Sequence, residues 1–253
     1  MITTFKEKKQ ALKILVFGPT ACGKSSLCNG LKMALDKETE VSHFFQAGRS
    51  ETASYTKDFQ FTTWEDCVTL YDMAGVFETE VIKDEDILNI IQGKVAFTGK
   101  LSNVLKPTPQ ASSEAQTNVS CVVIVLKPGM QLPENVKRII TLVHRTGGEG
   151  ELACHVVLTH LDEVEDCFKD PENLNQLFSS AEVQRKVEHI SREVGLPPNA
   201  ISFVRNHSYE TQSDTKSTVL FLHTFKQIIK AACDQEDKRA RFAAAVATQN
   251  RGK

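Results

Sequence analysis

The chain has 253 residues, 41% hydrophobic and 25% charged, with a formal net charge of −2. That fits one globular domain with insertions and a sizeable core, and it offers no basic footprint for nucleic acid, so no nucleic-acid partner is expected. No run approaches the roughly 18–20 apolar residues of a membrane span, the opening MITTFKEKKQ has no signal-peptide core, and Ile2 stands where N-myristoylation needs glycine.

The seven cysteines (22, 28, 67, 121, 154, 167, 233) are odd in number, without CxxC spacing, and several lie in apolar runs. Buried free thiols in a reducing compartment explain them, and a cytoplasmic protein is the expectation.

Residues 1–11 read as an N-terminal extension. LKILVF (12–17) is a first strand, followed by GPTACGKSS (18–26) and a helix from Lys24 to about Asp36. KDFQFTTW (57–64) alternates polar and apolar and turns across Glu65 and Asp66 into CVTLYD (67–72), an antiparallel hairpin at a sheet edge. Residues 76–120 form an insert with a helix, DEDILNIIQ (84–92), and a polar loop, KPTPQASSEAQTN (106–118).

CVVIVL (121–126) and CHVVLT (154–159) flank the helix PENVKRIITLVHRT (133–146), which stops at Gly147 and Gly148. AEVQRKVEHISREV (181–194) stops at Gly195, and ISFVR (201–205) is the last strand. KSTVLFLHTFKQIIKAAC (216–233) puts Leu222, Phe225 and Ile229 on one face, with Asp214 and Thr215 available to cap its start.

Strands apolar on both faces, alternating with helices, predict an α/β fold. Its class is the P-loop NTPase: a mostly parallel twisted sheet of about six strands with one antiparallel edge hairpin and helices on both faces. The domain spans 12–233, with 234–253 as a helical or disordered tail.

Gly18-x4-Gly23-Lys24-Ser25 follows a strand and opens a helix, the context a phosphate-binding loop requires. Its glycines let backbone N–H groups of Ala21, Cys22 and Gly23 close on a phosphate, and Ser26 lies in the helix's first turn. Lys24 reaches the β- and γ-phosphates, and the Ser25 hydroxyl takes a place on Mg2+. Asp72-Met73-Ala74-Gly75 ends the third strand: the aspartate can hold Mg2+ through water, and Gly75 can offer its N–H to a γ-phosphate. A first-switch hydroxyl for the metal belongs before the edge strand, where Thr56 fits and Ser50, Thr52 and Ser54 are rivals.

After the fifth strand come Thr159, His160, Leu161 and Asp162, where an Asn-Lys-x-Asp reader of guanine would lie. A carboxylate there accepts from guanine N1 and N2, a donor pair adenine lacks. Asn206 follows the sixth strand, where a loop closes over guanine O6. Guanine nucleotide, GTP or GDP with Mg2+, is the expected ligand. Val76 stands where Ras-type enzymes place the water-orienting Gln after the DxxG glycine, so intrinsic hydrolysis should be slow or depend on a partner.

These segments resemble the interferon-induced protein 44 family over almost the whole chain. ILVFGPTACGKSSLCNGLK is similar to its opening strand, loop and helix, LYDMAGV to its DxxG, and DEDILNIIQGKV to the helix that follows. LKPTPQ, CVVIVL, VVLTHLD and VEHISREVGLPPNAISFVRNHSYE follow in family order, with His160 replacing the family's lysine. The resemblance implies a cytoplasmic guanine-nucleotide-binding protein linked to interferon or innate antiviral responses. It also implies P-loop roles for Gly18, Gly23, Lys24 and Ser25, and switch roles for Asp72 and Gly75. The resemblance also implies that longer members carry an extra N-terminal domain, for which no counterpart is expected in this sequence.

Two other readings stay open. One is a scaffold in which the nucleotide is structural or absent. The other is a P-loop kinase for a small acceptor, against which residues 76–120 contain no lid arginine. A protein effector or a second copy of the chain is the candidate macromolecular partner.

Overall fold

Strands form where the β-branched runs predict them: β1 Leu12–Phe17, β2 Gln60–Trp64, β3 Val68–Asp72, β4 Cys121–Leu126, β5 Ala153–Leu158 and β6 Ile201–Phe203. The computed structural model describes residues 11–41, 43–45, 60–73, 83–94, 119–145, 152–206 and 210–251. The strands make one sheet in the order β2-β3-β1-β4-β5-β6, parallel except for the β2–β3 edge pair. All six residues of β4 are buried, as a central strand covered on both faces requires. Glu65 and Asp66 turn the edge hairpin, both with positive φ (53° and 55°), as a type I′ turn needs.

Among the described residues five helices cover the sheet: α1 Lys24–Asp36, α2 Asp84–Ile91, α3 Glu134–Arg145, α4 Ala181–Val194 and α5 Thr215–Arg251. Leu27 and Leu31 of α1 pack with Phe221, Phe225, Ile228 and Ala232 of α5 on one face. On the other, Ile87 and Ile90 of α2 meet Val136 and Ile140 of α3 and Val183 and Ile190 of α4. The fold is thus the predicted P-loop NTPase sandwich.

Local chemistry sets the helix ends. Ser180 caps α4 by accepting from Val183 N–H at 3.1 Å, and Gly195 ends it at φ 70°. Asp214 caps α5, its Oδ1 accepting from Ser217 N–H at 2.7 Å. That helix runs unbroken through 234–251, 37 residues in all, or roughly 55 Å. Its buried stripe runs through Phe221, Phe225, Ile228, Ile229 and Ala232, so Phe225 and Ile229 face the core as predicted while Leu222 sits on the rim, 39% exposed.

A run of 3-10 turns over Leu161–Glu163, Asp166–Lys169 and Pro171–Ser179 joins β5 to α4. All seven cysteines are free, five of them buried. Among the described residues no helix is long and apolar enough to cross a membrane. The expected extension over residues 1–10, Thr56 and its rivals, Gly75, Val76 and the 106–118 loop lie outside the described residues.

Candidate functional site

The loop between β1 and α1 passes so close to β4 that a Cβ on Gly18 would lie 2.3 Å from the Val125 carbonyl oxygen. Only glycine fits there. Ala21 takes φ 57° and Gly23 φ 87°, the latter as the N-cap of α1. No side chain caps that end, so the first-turn N–H groups and the positive end of the helix dipole are left for an anion. Ser26 is half-buried in the same turn.

Lys24 is buried, and its Nζ donates to the Pro19 carbonyl at 2.6 Å, within its own loop. Ser25 Oγ donates to Asp72 Oδ2 at 2.6 Å across α1 and β3. Asp72 is fully buried, and burial pushes its carboxyl up to about 6 against the opposing pull of the Ser25 hydrogen bond and the Lys24 charge. Its Oδ1 has no hydrogen-bond partner among the described residues. Burial also pushes up the thiols of Cys22 and Cys28, which keeps them protonated and unreactive.

A buried carboxylate oxygen lacking a partner, beside a serine hydroxyl, is a hard-oxygen donor set that suits Mg2+. Among the described residues no group of three or more His, Cys, Asp or Glu side chains could hold a metal alone. Mg2+ commonly completes so small a donor set with water and the oxygens of a bound phosphate.

The ends of β5 and β6 bring three more predicted residues to the same loop. Thr159 is fully buried just past β5, and its Oγ1 donates to the Cys22 carbonyl at 2.6 Å. Because that proton is committed, His160 Nδ1, 2.8 Å away, must be the donor to Oγ1, which fixes the ring's tautomer. His160 holds a left-handed backbone (φ 51°). Asn206 Nδ2 donates to the Gly23 carbonyl at 3.2 Å. A Cβ on Gly23 would collide with Asn206 at 2.4 Å and press on Thr159 Oγ1 at 3.3 Å and His160 Cε1 at 3.4 Å.

Asp162 lies half-exposed in the first 3-10 turn, and its charge adds a little to that of Asp166, which chiefly raises the Lys169 ammonium. Among the described residues no hydrogen bond joins it to the Gly23 cluster.

Three supporting features carried no sequence signal of their own. Asn29, on α1, is buried and clamps Phe45 with both amide atoms: Nδ2 donates to its carbonyl at 2.9 Å and Oδ1 accepts from its N–H at 2.7 Å. Val41 N–H donates to Thr211 O at 3.0 Å and Ser213 N–H to Thr39 O at 2.8 Å, tying the end of α1 to the approach to α5. Arg205 reaches the Lys169 carbonyl, Glu210 and Asp214.

No family model matches the chain. Human interferon-induced protein 44 is 26% identical to it over 248 residues, covering 89% of this chain and 53% of that protein. Human interferon-induced protein 44-like is 23% identical over 243 residues, covering 88% and 52%. The chain therefore spans about half the length of the curated relatives it matches. Among solved structures, a dimerization-deficient mutant of Toc33 from Arabidopsis thaliana aligns with a TM-score of 0.50 at 18% identity, over 92% of this chain and 89% of that one, a likeness of fold alone. The chain is similar in sequence to the interferon-induced protein 44 family over nearly its whole length, and its fold is that of the P-loop NTPases expected from the sequence.

Proposed function

We propose that this protein binds guanine nucleotide with Mg2+ and acts as a slow or partner-dependent GTPase switch. The observation that carries the reading is the meeting of Thr159, His160 and Asn206 at Gly23, which joins the two base-side loops to the phosphate loop.

The loop from Gly18 through Ala21, Cys22, Gly23 and Ser26 cradles the phosphates, and Lys24 exchanges the Pro19 carbonyl for a phosphate oxygen. Ser25 and Asp72 hold Mg2+, which supplies positive charge against the β- and γ-phosphates when bound. Asp162 accepts from guanine N1 and N2, His160 stacks on the base, and the Asn206 loop covers O6. Thr56 and Gly75 serve the two switch loops. With Val76 following Gly75, water is poorly oriented, and hydrolysis waits for a group from an effector or a second copy of the chain. A cytoplasmic place and a link to interferon responses follow from resemblance to the interferon-induced protein 44 family. The scaffold reading, with no hydrolysis, is favoured by the same Val76 and by His160 in place of lysine.

Calorimetric titration of nucleotide-free protein with GDP, GTP and ATP in Mg2+, beside Asp162→Asn, tests this. Guanine binding that the variant abolishes is the expected result. Equal affinity for GTP and ATP, or none, overturns it.

A further inference from the structure

We propose that Arg205 is a positioning residue for guanine recognition: it holds the Asn206 loop against the phosphate loop by joining the 3-10 run after Asp162 to the cap of α5. The inference rests on the guanine-nucleotide reading above and names a residue whose role there is indirect.

The Arg205 side chain is only 11% exposed. Its Nη2 donates to the Lys169 carbonyl at 3.2 Å, at the end of the second 3-10 turn. The same nitrogen pairs with Glu210 Oε1, and Nη1 lies 3.7 Å from Asp214 Oδ2. Asp214 spends its other oxygen on Ser217 N–H at 2.7 Å, so the guanidinium is coupled to the first turn of α5. Nη2 therefore gathers a carbonyl from the segment carrying Asp162 and an acid from the loop beyond Asn206, while Nη1, without a hydrogen bond among the described residues, lies within ion-pair range of the helix cap. Lys216 makes a parallel tie, with Nζ donating to Glu172 Oε2 at 2.6 Å and to the Glu172 carbonyl at 2.8 Å.

Position in the chain gives the hub its consequence. Asn206 is the next residue, and among the described residues it is held to the β1–α1 loop by one hydrogen bond, to the Gly23 carbonyl. One such bond shifts an equilibrium only about fivefold and cannot fix a loop by itself. The ion-paired neighbour, its side chain largely sheltered from water, supplies the rest. Lysine carries the charge but on one nitrogen, so it cannot span the positions that Nη1 and Nη2 hold together.

The test uses the full chain in Mg2+, with GDP as the base-bearing probe and pyrophosphate as the base-free one. Arg205→Ala should weaken GDP about tenfold or more, the scale of a hydrogen bond to a charged group, and leave pyrophosphate within about twofold of wild type. Arg205→Lys should recover part of the loss. Glu210→Gln, which removes one partner and leaves the rest of the hub, should move GDP in the same direction by less, and it decides the matter if Arg205→Ala does not fold. GDP binding by these variants within about twofold of wild type overturns the proposal, as does a parallel fall for GDP and pyrophosphate. Wild-type protein that prefers no guanine nucleotide overturns the guanine reading itself, and this one with it.

Discussion

Ser25 Oγ donates to Asp72 Oδ2 at 2.6 Å, tying the first turn of α1 to the last residue of β3. This pair holds a buried carboxylate in a place that suits a cation, and its stability cost is visible in Asp72. The group titrates near 6 in the folded chain against an ordinary 3.8. Because the folded value is raised, the contribution of Asp72 to stability is complete below pH 3.8 and is lost as pH rises through about 6. At neutral pH the ionised group costs ~3 kcal/mol.

Asp72→Asn should therefore raise the melting temperature of nucleotide-free protein at pH 7.5 by several degrees, with the gain vanishing near pH 4. It should also abolish Mg2+-dependent nucleotide binding. A variant no more stable than wild type at pH 7.5 would mean that the carboxylate is compensated by a group not seen in these contacts. The opposite signs of the two effects mark a residue kept for its ligand rather than for the fold.

His155 titrates in the other direction. It lies buried in β5 with Nε2 2.8 Å from Ser202 Oγ on β6, and burial, with a smaller push from His223, lowers it to about 4 from 6.5. The folded value is depressed, so the stability it confers is present above pH 6.5 and is lost as pH falls from there through about 4, by ~3 kcal/mol. Denaturant titrations at pH 7 and pH 4.5 should show His155→Gln losing less stability over that interval than wild type. Placing the substitution in the Asp72→Asn background removes the overlapping opposite slope. Equal pH dependence in the two proteins would contradict the assignment.

How far the chain could be read from its residues depended on where each residue's partners lie. The six strands announce themselves because parallel strands buried on both faces need unbroken β-branched runs, as in CVVIVL. Gly23 and Lys24 were legible because a phosphate loop is a local object. Arg205 was not, since its partners at Lys169, Glu210 and Asp214 come from three segments and an isolated arginine has no period. Asn29 looked like one polar residue on a helix, yet it serves the backbone of Phe45, sixteen residues away. The 3-10 run over 161–179 stayed hidden for a related reason: it has neither the helical nor the strand repeat.

Thr159 ties the end of β5 to the loop between β1 and α1. Its hydroxyl serves the Cys22 carbonyl and His160 Nδ1 together. Thr159→Val keeps the shape and strands both partners, which should cost about 1–2 kcal/mol of stability and weaken GDP roughly tenfold. Thr159→Ser keeps the hydroxyl and should behave like wild type in both measurements. If Val and Ser variants bind GDP equally, the hydroxyl does not organise the site.

Gly30 allows a prediction whose sign is set by competition between two effects. An alanine in mid-helix ordinarily gains about 1 kcal/mol over glycine. Here a Cβ would come 2.2 Å from Phe221 Cζ, with two more ring carbons within 2.7 Å. Phe221 is fully buried between α1 and the sheet's α5 layer, so its ring has no solvent side to move into. The overpacking, about 1–3 kcal/mol or more, outweighs the propensity gain. Gly30→Ala should lower the denaturation midpoint, and adding Phe221→Leu, which shortens the opposing side chain, should recover part of the loss. The two changes must then be non-additive, since each alone disturbs the contact that the pair rebuilds. Additive destabilisation in the double variant would show that α1 and α5 do not approach as closely at Gly30 as the ring contacts require.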